Sequence, residues 1–293
     1  MNENLTIIIP CYNESQNVLN VIPNIIDFCE QNDFQLIIVN DGSRDNTLEL
    51  LETFESDKLL LVNHKVNRGY GAAIKTGIQN CNTQYCVTID ADGQHNLQDI
   101  IQLLEYRNAN DFDLVIGDRN FGGSTLFRNI GKYIIHKFTQ LFIKIKIKDL
   151  NSGMKMYNTN VVKSLIKWAP DTMAYSDIIT LLHFNFSYKI GEYPITINNR
   201  LHGTSTINYK TAIETIKEIA FIIVNIFPFK FFSILSLLIF TFASIWSIPF
   251  IVMGKGLTVG GSLLFFSALI IFLQGILLEI LCRMRFENYN HVK

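Results

Sequence analysis

The sequence has no excess of charge of either sign. Its 25 Lys+Arg and 26 Asp+Glu leave a formal net charge of −1 over 293 residues. A nucleic-acid binder normally carries a basic footprint, so no nucleic-acid partner is expected. No CxxC pair occurs. The five cysteines (Cys11, Cys29, Cys81, Cys86 and Cys282) are odd in number, which argues against a disulfide framework. No secretory leader pattern precedes the first apolar run, so the N-terminal part is expected to be cytosolic and reduced. A full GxGxxG is also missing. Gly69-Tyr70-Gly71 is not tight against a strand, and a dinucleotide loop is rejected there.

Charge is scarcest near the C-terminus. Hydrophobic residues make up 48% of the chain, and mean hydropathy is +0.21. Most of the excess follows about Phe221. Phe231 to Val252 is uncharged and has about the 20 residues needed to cross a bilayer. A turn, Met253 to Gly256, leads into a second uncharged run beginning at Thr258. Two transmembrane helices, 231–252 and 258–281, are therefore expected. Lys210, Lys217 and Lys230 precede them, Arg283 and Arg285 follow, and only Lys255 lies between. That bias places both ends and the large N-terminal part in the cytoplasm. Residues 211–228 grow steadily more apolar and are expected to lie in the membrane interface. Tyr133 to Lys148 mixes aromatics, isoleucines and lysines. It reads either as an amphipathic helix followed by an edge strand or as a contact for anionic lipid.

What is present before residue 210 is an alternation. Apolar, β-branched runs at Leu5–Pro10, Phe34–Val39, Lys58–Val62, Tyr85–Ile89 and Asp113–Ile116 predict strands. Helical spacing predicts helices over Glu14–Glu30, Thr47–Phe54, Gly71–Asn80 and Leu97–Arg107. This pattern predicts an α/β fold, a mostly parallel sheet flanked by helices, over residues 1–210. In such sheets ligands gather at the carboxyl ends of strands. Polar clusters sit there: Cys11–Glu14, Asn40–Arg44, Asp90–His95 and Gly117–Arg119.

The segment TIDADGQHN, residues 88–96, ends a strand in two carboxylates. If the extended conformation continues, Asp90 and Asp92 share one side of it. Two such charges repel unless a cation sits near them. Magnesium takes one or two protein carboxylates and completes its shell with phosphate and water. A metal site for a phosphorylated ligand is one reading; a solvated Asp-containing turn is the other. Asp41-Gly42-Ser43 also follows a strand and suits a ribose or base edge. Arg119, Arg128 and Arg200 offer forked donors for phosphate, although any one of them alone reads as a surface arginine.

The order IIIPCYNE (7–14), IIVNDGSRDNT (37–47), NRGYGAAIKTGI (67–78), VTIDADGQH (87–95), GDRNFGG (117–123), DLNSGMKMY (149–157) and NRLHGTSTI (199–207) resembles the family 2 glycosyltransferases of GT-A fold. Within them it looks most like the polyprenyl-phosphate glycosyltransferases. The resemblance implies a nucleotide-sugar donor, a polyprenyl phosphate acceptor and a Mg2+ or Mn2+ cofactor. It implies that Pro10, Tyr12, Glu14 and Asp41 line the nucleotide pocket. Asp90 and Asp92 form the DxD motif, and Asp92 and Gln94 hold the metal against the diphosphate. Arg119, Arg128, Arg200 and Ser205 approach the donor diphosphate or the acceptor phosphate. Three positions depart from the family pattern. Asp118 stands where Ser often precedes the arginine, Thr206 stands where Lys often follows the serine, and Asp177 stands where many relatives carry Glu. Asp177 is read either as a helix-start residue or as a catalytic one. His95 and His202 read as polar loop residues.

The resemblance further implies a single inverting displacement by a lipid phosphate on a nucleotide sugar. UDP-glucose leads the expected donors, followed by UDP-N-acetylglucosamine and GDP-mannose. Two rival readings are another lipid acceptor such as diacylglycerol, and a non-catalytic membrane scaffold. The short tail and the missing QxxRW segment argue against a processive synthase. Homo-oligomerisation through the membrane helices is also expected of such relatives, and Gly260-Gly261 and Gly275 are candidates for close helix packing.

Overall fold

The structure, a computed structural model, describes residues 5–119, 147–198, 224 and 227–290, without the side chains of residues 285–290. Arg128, Arg200, His202, Ser205 and Thr206 lie outside the described residues. So do nearly all of the 133–148 and 211–228 segments.

The N-terminal part is a seven-stranded sheet in the order β3-β2-β1-β4-β6-β5-β7. Its strands are β1 Leu5–Cys11, β2 Gln35–Asn40, β3 Leu59–Asn63, β4 Tyr85–Thr88, β5 Leu114–Asp118, β6 Lys155–Asn158 and β7 Ile190–Pro194. Its helices are α1 Ser15–Asn32, α2 Thr47–Leu51, α3 Tyr70–Asn80, α4 Leu97–Asn110, α5 Thr159–Leu165 and α6 Tyr175–Asn185. Strand pairing is parallel except at β6, which runs antiparallel to both β4 and β5. The expected mostly parallel sheet is observed.

Burial on both faces explains the unbroken apolar runs. Leu5, Ile7 and Ile9 of β1 face one core with Val18, Ile22, Ile25 and Cys29 of α1 and Ile100 and Leu103 of α4. On the opposite face α3 packs across β1 and β2. β3 lies at the sheet edge, and its LLLVN run is only partly buried. Differences from expectation concern element ends, most of them by one to three residues. α2 stops at Leu51 and not at Phe54, β5 runs on to Asp118, and β4 stops at Thr88. Element ends are set by local hydrogen bonding and not by periodicity, so they are the least legible feature of a sequence.

β1 is followed in the chain by its neighbour β2, but β4 pairs on its other side. The sheet therefore has its topological switch point between the carboxyl ends of β1 and β4, where open α/β sheets bind ligands. The antiparallel β6 enters between β4 and β5, so the 149–154 segment leading into it lies at that same end.

The C-terminal unit contains α7, Pro228–Val252, and α8, Val259–Asn290. Pro228 opens α7, where its missing N–H costs nothing. Both helices are long and apolar enough to cross a membrane, with mean hydropathy 2.1 and 2.4 over their best windows. Only 17% and 11% of those windows are buried, unlike the mostly buried core helix of a soluble domain. Leu237, Ile245 and Phe266 each expose more than half of their surface, an apolar surface of the kind that marks a membrane or protein contact. The glycines singled out in the sequence do different things. A Cβ on Gly261 would lie 2.4 Å from Ser247 Oγ, and one on Gly275 would lie 2.7 Å from Phe232 Cβ; Gly260 meets nothing. Gly261 and Gly275 are thus spent on packing α8 against α7 within one chain. Gly275→Leu is expected to lower thermal stability in detergent by about 1–3 kcal/mol, the usual cost of overpacking a tight contact; differential scanning fluorimetry checks it.

Candidate active site

The crevice at the carboxyl ends of β1, β2 and β4 is built by three loops. The first two are stitched together. Asn13, in the left-handed region at φ 54, donates its N–H to Ser43 Oγ at 3.0 Å and accepts from Arg44 N–H at 2.8 Å. Glu14 N–H donates to Thr47 Oγ1 at 2.8 Å, and the Glu14 carboxylate accepts from Asn17 Nδ2 at 2.6 Å. Pro10 is the penultimate residue of β1, and Tyr12 stands exposed just beyond its end.

Asp41 is buried and heavily engaged. Its Oδ1 accepts from Arg68 N–H at 2.9 Å and pairs with His64 Nδ1 at 2.7 Å; its Oδ2 accepts from Gly69 N–H at 2.8 Å. His64 Nε2 in turn meets Thr76 Oγ1 at 2.9 Å. The carboxylate shapes the 64–69 loop that leads into α3. Asp41→Ala leaves two backbone N–H groups and a buried imidazole without their partner, and is expected to cost about 2–3 kcal/mol. Thermal unfolding of the variant measures it.

Asp90 and Asp92 do not share a strand face. β4 has already ended, residues 91–92 form a turn, and Gly93 is at φ 72. This corrects the extended reading of TIDADGQHN. Asp92 is buried at 4% exposure and caps its own turn by accepting from Gln94 N–H at 3.1 Å. Asp90 stays 38% exposed at the side chain. Its Oδ1 accepts from Tyr70 Oη at 3.0 Å, and His95 Nε2 lies 3.6 Å from its Oδ2. Partial desolvation opposes ionisation of Asp90, but the nearby imidazole of His95, the Tyr70 hydroxyl and the charge on Arg119 outweigh it and hold the carboxyl below its ordinary range. Gln94 spends its amide nitrogen on Asn198 O at 3.2 Å. The other end of that side chain, Oε1, is its acceptor atom. His95 lies in the loop between β4 and α4, as expected of a polar loop residue, but its side chain is only 5% exposed, and Nδ1 has no hydrogen-bond partner among the described residues.

Arg119 reaches the crevice from β5 by way of Asp149. Nε donates to Asp149 Oδ2 at 2.6 Å, Nη2 to Asp149 Oδ1 at 2.8 Å, and Nη2 also to Asn151 O at 2.8 Å. The guanidinium is thus forked onto a buried carboxylate. Burial works to lower its affinity for the proton, and Asp149 and Asp90 more than restore it. The residues that hold the site but drew no assignment in the sequence are His64, Tyr70, Asp149, Gly153 and Lys155. Tyr70 sat in NRGYGAAIKTGI, where a dinucleotide loop was rejected and the remaining signal was its place in the family order. Asp149, Gly153 and Lys155 sat in DLNSGMKMY, whose signal was its place in the family order.

Among the described residues no group of three His, Cys, Asp or Glu converges as a complete metal cage. The donor set nevertheless fits a hard divalent ion. Asp90, Asp92 and Gln94 Oε1, within five residues of one another, are oxygen donors of the kind a hard divalent ion takes, and magnesium-type sites use one or two protein carboxylates and leave the remainder to phosphate and water.

A family model described as "Glycosyl transferase family 2" matches residues 6–166. Over 243 residues the chain is 25% identical to the dolichyl-phosphate beta-glucosyltransferase of Dictyostelium discoideum, covering 73% of this chain and 72% of that protein. It is 29% identical over 206 residues to the undecaprenyl-phosphate 4-deoxy-4-formamido-L-arabinose transferase of Pseudomonas fluorescens, covering 69% of this chain and 59% of that protein. Among solved structures, glucosyl-3-phosphoglycerate synthase from Mycobacterium tuberculosis, in complex with Mn2+, uridine-diphosphate-glucose and phosphoglyceric acid, aligns with a TM-score of 0.57 at 15% identity. That alignment covers 74% of this chain and 78% of that one. At this identity the likeness shows the fold.

Proposed function

Because the chain belongs to glycosyl transferase family 2, and is a glycosyltransferase of GT-A fold, we propose that it moves a sugar from a nucleotide sugar to a polyprenyl phosphate at the cytoplasmic face of a membrane. The observation that carries this reading is a pairing of features in one chain. An acidic turn, Asp90 to Gln94, lies at the switch point of the sheet, and two helices long and apolar enough to cross a membrane follow the same domain. A polyprenyl phosphate has a head at the membrane surface and a tail in the bilayer, so an enzyme anchored there meets it in two dimensions.

In this reading Pro10, Tyr12, Glu14 and Asp41 bound the nucleotide, with Asp41 acting through the loop it holds. Asp90, Asp92 and Gln94 would hold Mg2+ or Mn2+, which when bound neutralises charge on the donor diphosphate. Arg119 adds a fixed positive charge beside Asp90. Arg128, Arg200 and Ser205 are assigned by the family pattern to the acceptor phosphate and the diphosphate. A phosphate oxygen of the lipid attacks the anomeric carbon, the bond from that carbon to the diphosphate oxygen breaks, and the nucleoside diphosphate leaves with its electron pair. One displacement inverts the anomeric centre. The attacking phosphate monoester has a second pKa of about 6 and is mostly dianionic at neutral pH, so no base is required. The work left to the protein is bringing two anions together, through preorganised cationic and hydrogen-bonding groups.

UDP-glucose is the leading donor, in keeping with the glucosyltransferase relative. UDP-N-acetylglucosamine comes next, then GDP-mannose. The test is to incubate membranes holding the protein with Mg2+ or Mn2+, undecaprenyl or dolichyl phosphate, and a panel of radiolabelled nucleotide sugars. One donor should yield a labelled lipid that EDTA abolishes. Label in diacylglycerol, or no transfer from any donor despite nucleotide binding, would overturn the assignment.

A further inference from the structure

Lys155, the first residue of β6, is fully buried. Its ammonium donates to Leu150 O at 2.7 Å, to Thr180 Oγ1 at 3.0 Å, and to Ser176 O. Thr180 Oγ1 is itself occupied as a donor, to Ser176 O at 3.1 Å. All three neighbours therefore act as acceptors, and only the charged form of lysine has three protons to give. Leu150 belongs to the 149–153 loop; Ser176 and Thr180 belong to α6. The ammonium thus joins two segments that no strand pairing connects.

The loop it holds carries two contacts of the crevice. Asp149 grips Arg119. Gly153 lies so close to Asp90 that a Cβ there would fall 2.3 Å from Asp90 Oδ2. We propose that Lys155 is a positioning residue: its buried ammonium ties the 149–153 loop to α6 and thereby holds Arg119 and Asp90 at the diphosphate end of the crevice. This rests on the donor-site reading above. It explains a charged side chain in a place where a neutral one would cost less.

The charges around it are mixed. Asp177 on α6 and Asp149 on the loop favour the ammonium, while Arg119 opposes it; His183, also on α6, is pushed down to about 4 by burial and is neutral in the same range. Burial outweighs the carboxylates and brings the lysine down to about 7. The sign of the linkage separates position from stability. The unfolded chain holds this proton up to about pH 10.4. The fold therefore gains stability from this group as pH rises between the native and the unfolded value. Activity that falls in that window reflects a loosened clamp and not unfolding.

The experiment uses the full chain in lipid nanodiscs. Amide hydrogen exchange of 147–153 and 175–180 is followed without substrate at about pH 6.5 and about pH 8.5, beside the transfer rate and the melting temperature. In the wild type, protection of 149–153, corrected for the intrinsic pH dependence of amide exchange, should drop and transfer should fall at the higher pH, with no loss of melting temperature. Lys155→Met should show exchange of 149–153 about tenfold faster at both pH values and transfer lowered about tenfold or more; because it leaves three buried acceptors without a donor, its melting temperature should also fall. Lys155→Arg, always charged, should keep its activity at the higher pH. Should arginine not fit, Thr180→Val removes one acceptor and should raise exchange in the same loop. Unchanged exchange of 149–153 in Lys155→Met, or an alkaline fall that persists unshifted in Lys155→Arg, would overturn the proposal. If even the wild type transfers no sugar, the reaction assignment has failed, and the exchange measurement still decides the clamp.

Discussion

Asp92→Asn is expected to lower sugar transfer by about 10²–10³-fold or more while leaving the fold intact, the loss typical when one group that stabilises developing charge is removed. The choice of asparagine follows from the structure. Asp92 is buried, and its Oδ1 closes a turn by accepting from Gln94 N–H. Alanine would remove the charge and the turn together, so inactivity of Asp92→Ala would have two explanations. Asparagine keeps an acceptor oxygen and loses only the charge. Labelled lipid product gives the rate, and Mn2+-dependent binding of UDP gives a readout that does not depend on turnover. Both should fall in Asp92→Asn, with an unchanged melting temperature. A variant that transfers sugar within about tenfold of the wild type would mean that the negative charge at Asp92 is not needed, and the metal–diphosphate assignment of this turn would have to be abandoned.

Gly153→Ala should be nearly as damaging, although the residue has no side chain and no chemistry. The added Cβ would lie 2.3 Å from Asp90 Oδ2 and 2.9 Å from Asp90 Cγ. One of two things must move. If the carboxylate yields, it leaves the Tyr70 hydroxyl that it now meets at 3.0 Å. If the loop yields, it strains the bond from Thr88 Oγ1 to Gly153 O at 2.8 Å. A displacement of about 1 Å at a reacting centre costs about 10²-fold in rate, and that is the expected loss. Tyr70→Phe, which removes one hydrogen bond and moves nothing, should lose less. Equal activity of Gly153→Ala and the wild type would show that this approach carries no positional constraint.

The alternation of apolar runs with helical spacing was enough to predict the sheet, because a strand buried on both faces must be apolar at every position and a helix on its surface must be apolar on one side. The strands read as β1 to β5 are all present, within a few residues at their ends. β6 and β7 were not read, since KMYN and IGEYP are short and mix polar with apolar residues. The two C-terminal helices were legible for the plainest reason: two long uncharged stretches of about the length that crosses a bilayer stand out from the rest of the chain. Asp90, Asp92 and Asp41 were singled out because polar residues ending an apolar strand interrupt the pattern that burial demands; Tyr12 was assigned by the family resemblance.

What the sequence determined by itself, then, was the class of fold, the membrane tail and the strand ends at which chemistry gathers, all of them consequences of local pattern. Tertiary structure alone decided who holds whom. Arg119 is forked onto Asp149, 30 residues away; Gly153 abuts Asp90, and Lys155 joins a loop to a helix. Such contacts follow from the antiparallel entry of β6 between β4 and β5. Strand order is fixed by the packing of the whole sheet, and no periodicity along the chain records it.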